Sequence, residues 1–149
     1  MNLLRGRPEP RYVRFNVQAS ALIFDDKRQY VLTMEGARAR VLPRVVCEGD
    51  TPPWEQLSAL LTCYGVSTTP LQWAGVWQNV TGDSFEFVFS AILPEDNLPD
   101  GMEWSPVQNA ALMGQDAGML SQTLSHLPQQ KIWLQLYWPE RFPLVLEQK

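Results

Sequence analysis

The sequence is poor in the side chains that most often bind metals or form cross-links. Two cysteines and one histidine occur among 149 residues, at Cys47, Cys63 and His126. They include no CxxC pair and have no evident fourth ligand, which argues against a zinc site. Residues 1–14 lack the apolar segment of an export signal, so we expect two free thiols in a reducing compartment and a cytoplasmic protein.

Long apolar runs and an excess of positive charge are also missing. No stretch approaches the roughly 20 apolar residues of a membrane span, so no membrane segment is expected. The net charge is −4, which argues against general nucleic-acid binding because such binding usually needs a basic face. Hydrophobic residues nevertheless make up 45% of the chain, enough for the core of one domain over residues 1–149.

Alternating hydrophobicity predicts two pairs of strands. Residues 12–24 alternate and then become apolar on both faces, as expected where a strand enters a core. The polar turn at residues 25–28 and a second strand at 30–34 complete a hairpin. Residues 71–80 and 84–93 form the second predicted pair.

Helical periodicity replaces alternation at Thr51. Leu57, Leu60, Leu61 and Tyr64 are spaced i, i+3, i+4, i+7, which predicts one helix over Thr51 to Tyr64. We expect Thr51 to cap this helix, with Pro52 at its first position and Gly65 as its stop.

Two further helices are predicted in the second half of the chain. The segment from Glu103 to Pro106 is expected to lead into a short helix through Leu112, and a longer helix to cover Ala117 to His126. The remaining tail is aromatic and is interrupted by Pro139 and Pro143.

Five segments in this order resemble the Nudix (MutT-like) superfamily over about residues 12–126. They are "VQASALIFDDKRQYVLTM", the "LP" at Leu42-Pro43, "GDTPPWEQLSALLTCYGV", "FEFVFSAIL" and "EWSPVQNAAL". The resemblance implies an α+β fold, a Nudix-like α/β/α sandwich around a small mixed sheet. Residues 127–149 would be an aromatic C-terminal extension to that core.

The family's Nudix box, G-x5-E-x7-R-E-U-x-E-E-x-G-U, is degenerate here. Anchoring the alignment on Asp50 and Gly65 places Asp50 at the first Glu and Arg44 at the opening Gly. The R-E pair becomes Ser58 and Ala59, and the E-E pair becomes Thr62 and Cys63.

These replacements bear directly on the reaction that the resemblance implies. Nudix enzymes hydrolyse nucleoside diphosphate derivatives with Mg²⁺ or Mn²⁺ held by the box glutamates, and Mg²⁺ prefers carboxylate oxygens. We therefore expect a catalytically inactive domain without a metal cofactor. The alternative is a divergent hydrolase that binds Mg²⁺ through relocated ligands, namely Glu48, Asp50 and Glu55.

A binding function is one alternative use of such a domain. Arg38, Arg40 and Arg44 share a parity, so in an extended segment they would point one way and could hold a nucleotide-like or other anionic small molecule without metal. Trp77 and Glu86 complete this hypothetical ligand site. The competing interpretation is a solvated strand face, with Trp77 in the core.

An interaction or scaffold function is the other alternative. The tail after Pro128 is unusually apolar, and we expect its interface residues to be Trp133, Leu136, Tyr137 and Trp138. Such a segment can fold back on the sheet or associate with another chain. Because Pro139 and Pro143 interrupt it, association is favoured, with a two-fold homodimer or another protein partner.

Overall fold

A computed structural model of the chain describes residues 16–79, 84–94, 98–126, 133–138 and 142–147. Of the last two ranges, only the backbone is described. The elements in chain order are β1 (Asn16–Phe24), β2 (Tyr30–Met34), β3 (Arg44–Val46), α1 (Pro53–Cys63), β4 (Gln72–Asn79), β5 (Ser84–Ile92), β6 (Met102–Pro106), α2 (Gly114–His126), β7 (Trp133–Trp138) and β8 (Phe142–Glu147). Among the predicted strands, β2 matches its predicted bounds, and β4 and β5 match to within one residue.

The first strand is central because it is apolar on both faces. Its last six residues are buried, and it pairs in parallel with β5 along its whole length. Strands of this kind need cover on both sides. Its other edge pairs antiparallel with β3 and, through Phe24 and Val31, with β2. The Asp25 carboxylate closes the predicted hairpin turn by accepting hydrogen bonds from the backbone N–H groups of Gln29 and Tyr30.

The sheet is mixed and follows the order β6-β2-β1-β5-β4-β7-β8, with β3 beside β1. Two apolar clusters lie on opposite faces. Leu57 and Leu61 of α1 belong to the first cluster, with Ala19 and Phe89. Met119 and Leu120 of α2 belong to the second, and the two helices therefore sandwich the sheet.

The helix predicted from periodicity at residues 51–64 is confirmed, with shorter ends. Its N-cap is Pro52, so the prediction that Thr51 would cap it is wrong, and no side chain caps it. Pro53 takes the first helical position, which suits proline because the N–H there has no helical partner. Gly65 has φ of 79°, and Val66 donates its N–H to the Leu61 carbonyl, which ends the helix as predicted.

The short helix predicted through Leu112 is wrong. Residues 102–106 form the edge strand β6 along β2, and a turn follows. In place of a helix, the segment after β6 pairs with residue 40: Arg40 donates its backbone N–H to the Ala111 carbonyl, and Leu112 forms a bridge with Arg40. Proline is tolerated at the end of β6 because this strand is an edge. The next helix is confirmed but begins at Gly114, three residues earlier than predicted.

The tail supplies two strands of the same sheet. Strand β7 pairs in parallel with β4, and β8 pairs antiparallel with β7. The segment set apart as an extension thus folds back on the sheet, one of the two outcomes that the sequence left open. Pro143 lies in β8, the last strand in the order, where an absent N–H is tolerated.

No helix in the described part of the chain is long and apolar enough to cross a membrane.

Candidate functional site

The face of α1 where the Nudix box would carry its metal ligands points to solvent. Ser58, Ala59, Thr62 and Cys63 are all exposed or partly exposed, whereas Leu57 and Leu61 anchor the opposite side of the helix. Thr62 uses its hydroxyl to donate a hydrogen bond to the Ser58 carbonyl, 3.0 Å away, within the helix. These positions are accessible but offer no carboxylate oxygen.

The relocated metal ligands proposed as an alternative do not form a site here. Glu48, Asp50 and Glu55 are exposed. Within the described ranges, no group of three or more His, Cys, Asp or Glu side chains could hold a metal ion. What organises this loop is Gln56, whose amide bonds to the Glu48 backbone and to the Thr51 carbonyl at 2.6–3.0 Å.

The three arginines do not share one face, so the predicted cluster is wrong. The chain doubles back after Met34, which bonds to Val41 through both backbone groups. At Gly36 in this bend, a Cβ would collide with the Ala39 carbonyl. Arg38, Arg40 and Arg44 would point to one side only if the segment that contains them were continuously extended. The bend interrupts that segment.

Two of the three arginines lie apart from the third. Arg38 is exposed. Arg40 reaches strands β2 and β6, where it donates hydrogen bonds to the Thr33 hydroxyl at 3.0 Å and the Thr33 carbonyl at 2.7 Å. It also lies 3.4 Å from the Glu103 carboxylate. Arg40 therefore links the hairpin to the edge strand.

Arg44 is held between two buried carboxylates. Its Nε donates to Glu86 at 2.7 Å, and a terminal nitrogen donates to Asp116. Glu86 also accepts from Ser20 and, at 3.3 Å, from Gln115, while Asp116 accepts from the Leu42 N–H at 3.1 Å. We call Ser20, Arg44, Glu86, Gln115 and Asp116 the polar cluster.

The two carboxylates of the polar cluster are buried. Glu86 is 4% exposed and Asp116 7%, and both accept several donors. Burial disfavours the charged form of Arg44, but attraction to Glu86 and Asp116 outweighs it and raises the pKa of Arg44. One cation matched to two anions leaves no positive charge for an anionic ligand. The cluster fits a structural role that ties β3, β5 and α2 together.

Trp77 lies in the core, so its predicted stacking role is not supported. Its side chain is 9% exposed and belongs to the apolar cluster beneath α2. A Cβ on Gly118 would approach its ring within 2.9 Å, so the glycine allows α2 to lie close. Of the predicted ligand residues, Arg44 and Glu86 form an ion pair, and Trp77 lies opposite Glu86 across β4 and β5.

Two shallow grooves flank α1. One, of about 330 Å³, lies at the helix start and includes Cys47, Gln56 and Phe87. The other, of about 420 Å³, lies between the helix end and the following loop. Among the described residues that line them, neither groove has a charged side chain. Both differ from the arginine-lined pocket that an anionic ligand would need.

The two thiols are free, as expected, and their surroundings differ. Cys63 is exposed on α1, and Cys47 is half-buried after β3. Burial and the negative charge of Glu86 raise the pKa of Cys47 above its ordinary 9.0. This environment suppresses the thiolate that a nucleophilic cysteine needs.

Sequence reasoning missed Ser20, Gln115 and Asp116 as members of the polar cluster. Ser20 interrupts a run of apolar residues at a position that the fold buries completely. Asp116 lies in the first turn of α2, where the helix dipole favours an anion. These signals were present in the sequence, but they identify buried polar groups and do not identify the partners.

Several solved structures that share this fold are Nudix hydrolases or pyrophosphatases. The crystal structure of a NUDIX hydrolase from Nitrosomonas europaea has a TM-score of 0.62 at 10% identity, covering 85% of this chain and 79% of that one. An ADP-ribose pyrophosphatase from Streptococcus suis has a TM-score of 0.64 at 10% identity, covering 81% and 98%. The chain therefore has the Nudix fold, an α+β mixed sheet with two helices, as its sequence predicted.

The fold also matches a domain that was solved bound to another protein. The C-terminal domain of mouse MUTYH, in complex with human PCNA, has a TM-score of 0.61 at 19% identity, covering 77% of this chain and 91% of that one. No protein-family model matches the sequence, and a search of curated proteins found no relative. At these identities, structural likeness establishes the fold alone.

Proposed function

We propose that this chain is a Nudix-fold domain that acts by binding another protein and does not hydrolyse nucleoside diphosphate derivatives. The observation that carries the proposal is the exposed face of α1. Where the resemblance places a glutamate trio, this helix has Ala59, Thr62 and Cys63. Ala has no ligand atom, and Thr and Cys are poor ligands for Mg²⁺.

Internal neutralisation of Arg44 supports the same proposal. A metal-independent anion site was the competing use of the fold, and it required the Arg44 guanidinium to be available. That guanidinium is shared by Glu86 and Asp116. A ligand phosphate would have to displace charge-assisted hydrogen bonds that are already made in a buried setting.

The fold neighbours make an interaction role reasonable. The C-terminal domain of mouse MUTYH was solved in complex with human PCNA, so in that protein a domain of this fold contacts another protein. The hydrolase and pyrophosphatase neighbours support the alternative, a divergent nucleoside diphosphate hydrolase. The chemistry of α1 favours the interaction role.

A hydrolysis screen tests the proposal. The full chain is incubated with common nucleoside diphosphate derivatives and Mg²⁺ or Mn²⁺, and phosphate or nucleotide release is followed. We expect release at background. Glu55→Gln is the matched control, because Glu55 is the acid on the exposed side of the first helical turn. Metal-dependent turnover that Glu55→Gln abolishes would overturn the proposal.

A further inference from the structure

The face of the sheet next to α1 continues beyond the helix as an apolar surface. Helix α1 packs on β1 and β3. Strands β4, β7 and β8 extend the sheet past β5 on the other side of β1. Helix α2 covers the opposite face, where it contacts β4 and β7. The described part of the chain thus has no helix over β4, β7 and β8 on the α1 side.

The residues of this surface can be assigned from contacts and register. Trp73 packs edge-on against Phe87 and Phe89, with ring centroids 5.5 and 5.6 Å apart, and Phe89 belongs to the α1-side cluster. Alternation and pairing then place the following residues on the same face. We call this set the open face: Trp73, Val76, Gln78 and Phe87.

The tail strands continue the open face. Leu134 and Leu136 pair with Val76 and Gln78, so these positions of β7 share the face. Their partners in β8 are Leu146 and Leu144. Trp73 is 39% exposed, and Val76 and Phe87 are each partly exposed.

Charge is absent from the open face and its continuation. Residues 56–82 contain no Asp, Glu, Lys or Arg, although the whole chain has 28 such residues, and residues 132–138 and 142–146 contain none either. Glu86 lies between Phe85 and Phe87 but points to the polar cluster on the α2 side. The buried centre of a protein–protein interface is typically apolar and poor in charged residues. Homodimer interfaces are more apolar than the interfaces of transient complexes.

We propose that the open face, with its continuation on β7 and β8, is where two copies of this chain pack face to face. The inference rests on the proposed function, since it names the partner of the interaction domain. Residues close to a two-fold axis lie near their own copies, so charged side chains there would repel. In a chain of net charge −4, the open face lets two copies meet without that repulsion.

The flat extent of the face, about 400 Å², is half the area per partner of a standard dimer interface before side-chain relief and the rim are added. Four strands at about 4.8 Å spacing, each some five or six residues long, form a surface roughly 20 Å on each side, and two such twisted sheets pack about 10 Å apart. Protruding side chains and the residues around the edge of the face add to its accessible area and bring it towards the roughly 800 Å² per partner of a standard interface. That is a modest part of the 9790 Å² surface.

Other segments of the same chain match this surface poorly. Residues 1–15 contain Arg5, Arg7, Arg11 and Arg14, and burying these charges on an uncharged apolar face would be costly. Residues 127–132 are only six, and Lys131 is among them. A second copy presents an uncharged apolar surface of the same shape and area.

Sedimentation of the full chain tests the inference. We expect wild-type protein at tens of micromolar to have twice its 17.0 kDa mass. Gln78→Glu and Gln78→Lys each add charge at a partly exposed polar position and should raise the dimer Kd tenfold or more. An equimolar mixture of the two should recover a dimer, which misfolded variants could not do.

Controls assign the contact to the open face. Val76→Glu puts a charge on the same face wherever the axis lies and should also dissociate the dimer. Met113→Glu, at a 68% exposed site before α2, should behave as wild type. Circular dichroism checks that every variant is folded. A folded monomer at all concentrations overturns the inference, and so does a dimer unaffected by charge at both Gln78 and Val76. Neither result bears on hydrolysis, which the substrate screen decides separately.

Discussion

At the scale of single residues, Arg44 has the largest structural role of the three arginines singled out from the sequence. The resemblance to the Nudix box aligns it with the first glycine, and its charge is used inside the fold. Because Glu86 and Asp116 are buried, they depend on this one cation and on neutral donors for compensation.

Replacing Arg44 should therefore destabilise the protein strongly. We expect Arg44→Ala to lower the free energy of unfolding by about 3 kcal/mol, the low end for removing one partner of a buried ion pair. The low end applies because the Arg44 side chain keeps 25% exposure. Urea denaturation measures the change.

Two companion variants separate electrostatics from lost packing. Arg38→Ala, at an exposed position, should change stability by no more than about 0.5 kcal/mol. Adding Glu86→Gln to Arg44→Ala should recover part of the loss because an uncompensated buried charge is removed. If the double variant is less stable than Arg44→Ala, the ion-pair explanation is wrong.

The cysteines allow a pH-dependent prediction. The raised pKa of Cys47 means that the fold favours the neutral thiol. The contribution of this pKa shift to the free energy of unfolding is complete below pH 9.0, where the thiol is neutral in both states. It is lost as rising pH ionises the thiol first in the unfolded chain and then in the folded one. At neutral pH, iodoacetamide should modify exposed Cys63 well before Cys47, and mass spectrometry of the two peptides distinguishes them. Equal rates would contradict the assigned environments.

At the scale of elements, α1 is held by its buried side, while its exposed side is free to carry other residues. The helix is positioned by Leu57 and Leu61 on one side and ended by Gly65. Its exposed residues are not needed for packing, so they can change without loss of the fold.

Restoring carboxylates on α1 should restore a metal response. We expect the triple variant Ala59→Glu, Thr62→Glu, Cys63→Glu to lose a few tenths of a kcal/mol per like-charge pair spaced i, i+3 or i+4. Mg²⁺ or Mn²⁺ should then raise its melting temperature, because a cation that binds the folded state stabilises it.

The matched variant with glutamine at the same three positions should show neither the loss nor the metal response. Wild-type protein should also melt at the same temperature with and without metal. A stabilisation of wild type by Mg²⁺ that Glu55→Gln removes would favour the relocated metal site over a domain without metal chemistry.

At the scale of the whole molecule, the sheet combines strands that lie far apart in the sequence, β1 near its start and β7 and β8 near its end. Strand β1 is at its centre, and β7 adds to β4 from the far end of the sequence. The parallel pairing of β7 with residues 75–79 means that β4 would become an unpaired edge without the tail.

Truncation after Pro128 should consequently disrupt the fold. We expect the shortened chain to lose cooperative unfolding or to aggregate, since the edge of β4 would lose five register pairs. Circular dichroism and light scattering on both chains measure this. A truncated chain that stays soluble and unfolds at the same midpoint would show that β7 and β8 are dispensable.

Much of the architecture could be predicted from local patterns, and the errors have a common cause. The β2, β4 and β5 strands and the α1 helix follow from periodicities of 2 and 3.6 within a few residues. The failed prediction of a helix through Leu112 and the failed arginine face both depended on distant pairing. The segment through Leu112 pairs with Arg40 and does not form a helix, and the run from Arg38 to Arg44 is interrupted where Met34 and Val41 pair.

The sequence by itself determined the alternation of β1, the stop at Gly65 and the lack of carboxylates at Ala59, Thr62 and Cys63 on α1. These depend on neighbouring residues, whose geometry the backbone sets locally. Only the tertiary structure decided that Arg44 meets Glu86 and Asp116, which lie 42 and 72 residues away. The physical reason is that burial and charge pairing across such distances arise only when β3, β5 and α2 come together, and no local period encodes that assembly.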